Sequence, residues 1–265
     1  MYTDFIFSGL KENYFHNIRT LIKPLFDFEN VNAGGVADLI LSLKQDVGTT
    51  IKNEDEEETG NLNVDLFAIV SLLPITHFLN STNNENKITA QQIFNFILSK
   101  VDSFSASPND KQTALNILQN SRFAFLINER VINLPQEGVP IALSFLLKEM
   151  EECRDEEDYD KKFELDYVIA MNKFVKRKVN DTTKKAKKIK KDFTNVVPQQ
   201  QEEILNYKYE SELFNQKALI NLLYKIPYEK MNLEYLENSN EPQYFGLSFL
   251  RYQDFIEVVT SLNSP

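Results

Sequence analysis

Residues 66–73 read LFAIVSLL: seven apolar residues and one serine, with apolar side chains at odd and even positions alike. A strand with one wet face alternates apolar and polar residues. A strand covered on both faces has no need to, and reads as a short apolar run. The run is closed by Pro74, so it is read as a central strand with helices packed on both of its faces.

Working upstream, Gly48 to Lys52 is a partner strand, separated from the run by the acidic stretch EDEEE at residues 54–58. Further strands are expected at residues 2–7 (YTDFIF), at 123–127 (FAFLI) and at Phe245 to Leu250. FELDYVIAM at 163–171 alternates, with Phe163, Leu165, Tyr167, Ile169 and Met171 on one side. Tyr207, Tyr209, Ser211 and Leu213 alternate with Lys208, Glu210 and Glu212, which predicts one more strand.

Helical periodicity fills the intervals. Phe15, Ile18, Ile22 and Leu25 mark a helix from about Asn13, with Pro24 distorting its last turn. Val36 to Leu43 predicts a second helix behind Gly34-Gly35. Thr89 and Gln92 read as a capping box opening a helix with Ile93, Ile97 and Val101 inward. Ser107-Pro108 with Asp110 opens another, with Leu115 and Leu118 inward. Gly138 to Pro140 starts a helix with Val139, Leu143, Leu146 and Met150 inside, and Phe255, Ile256, Val259 and Leu262 give a last one. Strands and helices interleave, so the expectation is a single α/β domain over residues 1–265, a mixed sheet flanked by helices on both faces. Residues 179–198 are expected to form a flexible basic insertion.

The chain has 265 residues, 42% hydrophobic, enough to bury a substantial core. One cysteine, Cys153, rules out an intrachain disulfide and points to a reducing compartment, in which the sequons at Asn80 and Asn180 are chance matches. No apolar run nears the roughly 20 residues of a membrane helix, and the N-terminus is not patterned like a signal peptide.

The formal net charge is −10. That sign disfavours nucleic acid, whose affinity rests on phosphate contacts, and favours a basic protein partner. The charge is also unevenly placed. Residues 173–191 hold ten Lys/Arg against Asp181 alone, leaving −19 on the rest. Lys176-Arg177-Lys178 and the block of Lys184, Lys185, Lys187, Lys188, Lys190 and Lys191 suit a nuclear localisation signal. The alternative is a solvated basic loop that pairs with acids of the same chain. Two acidic groups are candidate client-binding residues: Glu54, Asp55, Glu56, Glu57 and Glu58; and Glu151, Glu152, Asp155, Glu156, Glu157 and Asp158. The plainer explanation of both is solubility. The second group follows the C-terminal end of the helix from Gly138, where Glu149, Glu151 and Glu152 meet a partial negative charge at about 0.3–1 kcal/mol each. A sequence shaped for stability alone would avoid that, and a basic client would offset it.

Catalytic chemistry has little to work with. His16 and His77 are the only histidines, neither is near a nucleophile or ligand motif, and one cysteine cannot complete a zinc site. Cys153 lies among acids, which suppress its thiolate. Only NAGGVA, residues 32–37, approaches an anion loop; it lacks a nearby cation, and the commoner role of such a stretch is a helix start needing backbone freedom. The expectation is a non-enzyme with no cofactor and no metal.

ADLILSLKQDVGTTIK (37–52), DLFAIVSLLPI (65–75) and FLINERVINLPQEGVPIALSFLLKEM (125–150) resemble the signature stretches of the BCCIP family, its fungal branch in particular. NYKYESELF (206–214) and FLRYQDFIEVV (249–259) are weaker matches. The resemblance implies a fold like that of the Gcn-five-related acetyltransferases (GNAT-like), with asparagine standing at the basic or amide position of the coenzyme A loop and hence fold without chemistry. It implies a nuclear chaperone of a basic large-subunit ribosomal protein, universal protein fourteen, acting in ribosome biogenesis and engaging the nuclear import and export machinery. It implies a phosphatidylinositol phosphate kinase as a further partner; that neither a membrane nor direct nucleic-acid contact is expected follows from the hydropathy and charge above. Two rival readings are a regulatory adaptor for a kinase or cell-cycle protein, and a GNAT-type acetyltransferase.

Overall fold

A computed structural model describes residues 5–26, 29–43, 47–53, 65–104, 107–131, 133–154, 161–178, 202–225 and 243–263, with backbone alone at 176–178, 202–205 and 243. The LFAIVSLL run forms strand β3, Leu66–Leu73, and all of it except Phe67 is buried. β3 lies between β2 (Thr49–Asn53) and β4 (Phe123–Arg130), antiparallel to both. The remaining strands are β1 (Phe5–Gly9), β5 (Tyr167–Lys178), β6 (Glu202–Asn206), β7 (Ile220–Lys225) and β8 (Gln243–Arg251). Their order is β1-β2-β3-β4-β5-β8-β7, with β6 paired to β5. β4 and β5 run parallel and every other pairing is antiparallel.

Helices cover both faces, which is why β3 has no polar side. On one face lie α1 (Phe15–Phe26), α2 (Ala33–Leu41), α3 (Ile75–Leu79), α4 (Asn84–Ser103) and α5 (Pro108–Asn120), with α1 set on β3 and β4. The other carries α6 (Gly138–Arg154) on β2 and β3, then α8 (Tyr252–Leu262) between α6 and α7 (Tyr209–Lys217). Phe26 joins the first layer to the sheet, its ring 6.1 Å from those of Phe96 and Phe125. Fully burying each such side chain contributes about 1.5–3 kcal/mol.

Several boundaries differ from expectation, each for a local reason. α4 opens at Asn84, not at Thr89, because Asn83 accepts the amides of Glu85 and Asn86 and so caps it earlier. Thr89 is instead buried inside the helix against Gly35, where a Cβ would lie 2.6 Å from its hydroxyl. Gln92 reaches across to accept the Asn32 amide. α2 starts at Ala33, capped by Asn32 through the Gly34 amide. A 3-10 turn at Glu12–Tyr14 precedes α1, and Pro24 sits inside α1 without ending it. β5 begins at Tyr167; Phe163 and Leu165 are buried ahead of it, while the Asp166 side chain accepts the Arg122 amide and guanidinium.

The largest correction is at residues 207–213. They do not form a strand: β6 ends at Asn206 and α7 begins at Tyr209. Glu210 and Phe214, one turn apart, are both buried, so the helical period wins over the alternation. α3, β6 and β7 were not expected. The sequence from 179 to 198 lies outside the described residues.

Candidate functional site

The acids that close α6 do not act alike. Glu151 and Glu152 are exposed, and Glu152 pairs with Lys148 one turn back at 3.5 Å. Glu149 is partly buried and accepts two hydrogen bonds at the start of β2, from the Gly48 amide at 2.9 Å and the Thr49 hydroxyl at 3.0 Å. It is therefore a brace between helix and sheet, which corrects its expected place among the unfavourable acids. Cys153 is buried. Arg154 ends the helix and donates to the Phe163 carbonyl and the Tyr252 hydroxyl, both at 2.9 Å.

Burial pushes the Glu149 carboxyl above its ordinary range, and the charge of Glu152 adds to this, while its two hydrogen bonds pull the other way. A raised native value means that its contribution to stability is full at low pH and is lost as pH rises through that value. Asp166 has the opposite sign. Burial pushes it up, but the Arg122 side chain and amide outweigh this and hold it below its ordinary range. Its contribution is lost as pH falls. Glu149→Ala is expected to destabilise by roughly 1–3 kcal/mol by stripping acceptors from Gly48 and Thr49. Glu149→Gln should also flatten the change in stability between mildly acidic and neutral pH. Urea melts at several pH values check both, and an unchanged pH profile for Glu149→Gln refutes the assignment.

A second polar group lies where β4 leaves β5. β5 pairs with β4 only from Tyr167 to Ala170, and from Phe174 onward with β6; β8 occupies its other edge from Tyr167 to Val175. The opening between β4 and β6 is filled from the β6–α7 junction. Glu210, 1% exposed, accepts Asn128 Nδ2 at 2.8 Å, Arg130 Nη1 at 2.7 Å and Arg130 Nη2 at 3.3 Å. Lys208 bonds the Glu129 carboxylate at 2.8 Å and also the Asn128 carbonyl. Behind this, Asn172 donates to Asn215 and Ser248, and the Ser248 hydroxyl lies 2.6 Å from Asn215 Oδ1 and 2.8 Å from Asn221 Oδ1. This network joins residues far apart in the chain and was not among the expected sites. Its signal was a polar residue closing an apolar strand: Asn128 after FAFLI, and Asn172 after VIAM.

Among the other expected residues, the histidines sit apart on α1 and α3, and the described residues hold no group of three His, Cys, Asp or Glu able to bind a metal. No helix among the described residues is long and apolar enough to cross a membrane. Asn32 to Ala37 is a capped helix start packed against α4, consistent with the commoner reading. An open cleft of about 400 Å3 is lined by Glu29, Asn30, Gln92, Asn95, Phe96 and Ser99; Glu29 is already paired with Lys100 at 2.5 Å. Lys173, the first cation of the basic tract, donates to the Pro24 carbonyl at the end of α1 and lies over the Phe245 ring. Lys176, Arg177 and Lys178 belong to β5, opposite β6. Glu54 to Glu58, Asp155 to Asp158 and Lys184 to Lys191 lie outside the described residues.

A family model described as BCCIP matches residues 1–214. Protein BCP1 of Debaryomyces hansenii is 33% identical over 190 residues, covering 67% of this chain and 57% of that protein. Protein bcp1 of Schizosaccharomyces pombe is 34% identical over 151 residues, covering 56% of this chain and 49% of that protein. The chain thus spans about half the length of these curated relatives. The crystal structure of BCP1 from Saccharomyces cerevisiae superposes with a TM-score of 0.61 at 17% identity, covering 100% of this chain and 89% of that one, which is a likeness of fold.

Proposed function

Because the chain belongs to the BCCIP family, we propose that it is an acidic nuclear chaperone and escort of a basic large-subunit ribosomal protein, universal protein fourteen, in ribosome biogenesis and nuclear transport. The observation that carries this is family membership joined to a net charge of −10, with ten of the 29 Lys/Arg concentrated at residues 173–191 and a net −19 on the rest of the chain. Exposed Glu151 and Glu152 would begin a client-facing acidic run that continues in sequence through Asp155, Glu156, Glu157 and Asp158. The basic tract would direct import. A phosphatidylinositol phosphate kinase is a further proposed partner.

We also infer an acetyltransferase-like fold without the chemistry. The mixed sheet, whose one parallel pair separates after four residues, supports the first part. The filling of the resulting opening by Asn128, Arg130, Lys208 and Glu210 supports the second.

Binding of the purified ribosomal protein tests the proposal. Affinity is expected to fall as salt rises, because complementary charge is screened over about 10 Å at 0.1 M salt. Replacing Asp155, Glu156, Glu157 and Asp158 with serine should weaken binding while leaving thermal stability equal or slightly higher. Binding indifferent to salt, or a variant that loses stability but keeps its affinity, would sink the electrostatic interface.

A further inference from the structure

We propose that the outer edge of β1 receives an extended segment of the partner, apolar and then basic, which adds to the sheet as a further strand. This rests on the chaperone reading above and names the surface it would use. β1 reads FIFSG and has neither charge nor proline. Among the described residues it pairs with β2 alone. An open edge of this kind is a template for pairing, and proteins ordinarily blunt it with lysine, proline or a bulge. The opposite edge strand, β7, ends on an exposed lysine, Lys225.

The second observation lies on α6. Gly138 packs on Ile51, where a Cβ would come within 3.3 Å, and Glu149 is tied to Gly48 and Thr49, so the helix runs along β2. Its outer flank overhangs β1. Phe145 meets the Phe7 ring at 5.3 Å, and Ile141 and Phe145, one turn apart, are each 41% exposed. A strand added about 4.8 Å beyond β1 would set alternate side chains against that flank. Backbone pairing and an apolar shelf therefore coincide at one edge, the arrangement used for strand addition by peptide-binding domains.

Charge selects the occupant. Beyond Phe145 the exposed positions of α6 are Lys148, which pairs with Glu152 at 3.5 Å, and Glu151, so the surface toward the Gly9 end of β1 is acidic on balance. A segment whose apolar residues are followed by Lys or Arg matches that sequence of surfaces. A second copy does not, since each copy carries −10 and would bring the same acids.

The test uses the full chain, with the purified ribosomal protein named above as probe. Ile141→Ser with Phe145→Ser is expected to weaken binding by about tenfold or more, as loss of an apolar anchor does. In the unaltered chain, binding should slow hydrogen exchange at alternate amides of Phe5 to Gly9, a pattern that helix docking would not produce. Unchanged affinity in the variant, or no protection of β1, overturns this surface and leaves the chaperone reading standing. No binding by the unaltered chain removes that reading, and this inference falls with it. Concentration-dependent protection of β1 without the probe would instead identify a second copy as the occupant and overturn the proposal.

Discussion

Glu210→Ala is expected to lower the stability of the chain by roughly 3–5 kcal/mol, the usual consequence of removing one partner from a buried ion pair. The Arg130 and Glu210 side chains are 9% and 2% exposed, and the guanidinium meets the carboxylate through two nitrogens. Without Glu210, Arg130 is a buried cation with no counter-charge, and Asn128 loses the acceptor for its amide. The cost lies in that stranded charge more than in the lost attraction. The double change Arg130→Met with Glu210→Leu should accordingly recover much of the loss, because both charges leave together. Urea midpoints of the two variants settle the matter. A loss under about 1 kcal/mol for Glu210→Ala would mean that water reaches the pair, and that the opening between β4 and β6 is not sealed.

Phe214→Ala is the second large effect, about 3–5 kcal/mol, as for other fully buried aromatics. Phe214 is 1% exposed and stacks on Phe255 at 5.9 Å, joining α7 to α8. The measurement also separates two accounts of one stretch. A strand over residues 207–213 would turn Tyr209, Ser211 and Leu213 inward and, if continued, place Phe214 on the polar side with Glu210 and Glu212. Its removal would then cost almost nothing, and Leu213→Ala would be the damaging change. The helix reverses the order, since Leu213 is only partly buried. Thermal melts of the two alanine variants therefore distinguish helix from strand.

That stretch shows where the sequence was legible and where it was not. LFAIVSLL and FAFLI could be read because central strands bury both faces, and few other structures tolerate such runs. The helix at Ser107-Pro108 was legible because its cap, proline and first-turn acid are local and mutually consistent. Residues 207–213 misled because Tyr207 and Tyr209 are exposed, 45% and 56%, whereas the residue that anchors the segment is a glutamate. No alternation rule expects an acid in the core. Its burial depends on Arg130 and Asn128, eighty residues or more earlier in the chain. Glu149 was misjudged for the same reason. A helix-end rule sees its neighbours in sequence, but its hydrogen-bond partners are Gly48 and Thr49, where β2 begins. The family resemblance was legible because it rests on contiguous stretches, and the family model matches residues 1–214.

The strand order also bears on how the chain assembles during synthesis. β8, Gln243–Arg251, lies between β5 and β7, both of which leave the ribosome before it. Until it arrives, one edge of β5 is bare and β7 has no neighbour in the sheet. Elongation at about 5–20 residues per second leaves that slot vacant for seconds after β5 has emerged. An interior strand is thus made after both of its neighbours, and this part of the sheet closes only when β8 arrives. During that interval the apolar edge of β5 is available to holdase chaperones or to another nascent chain.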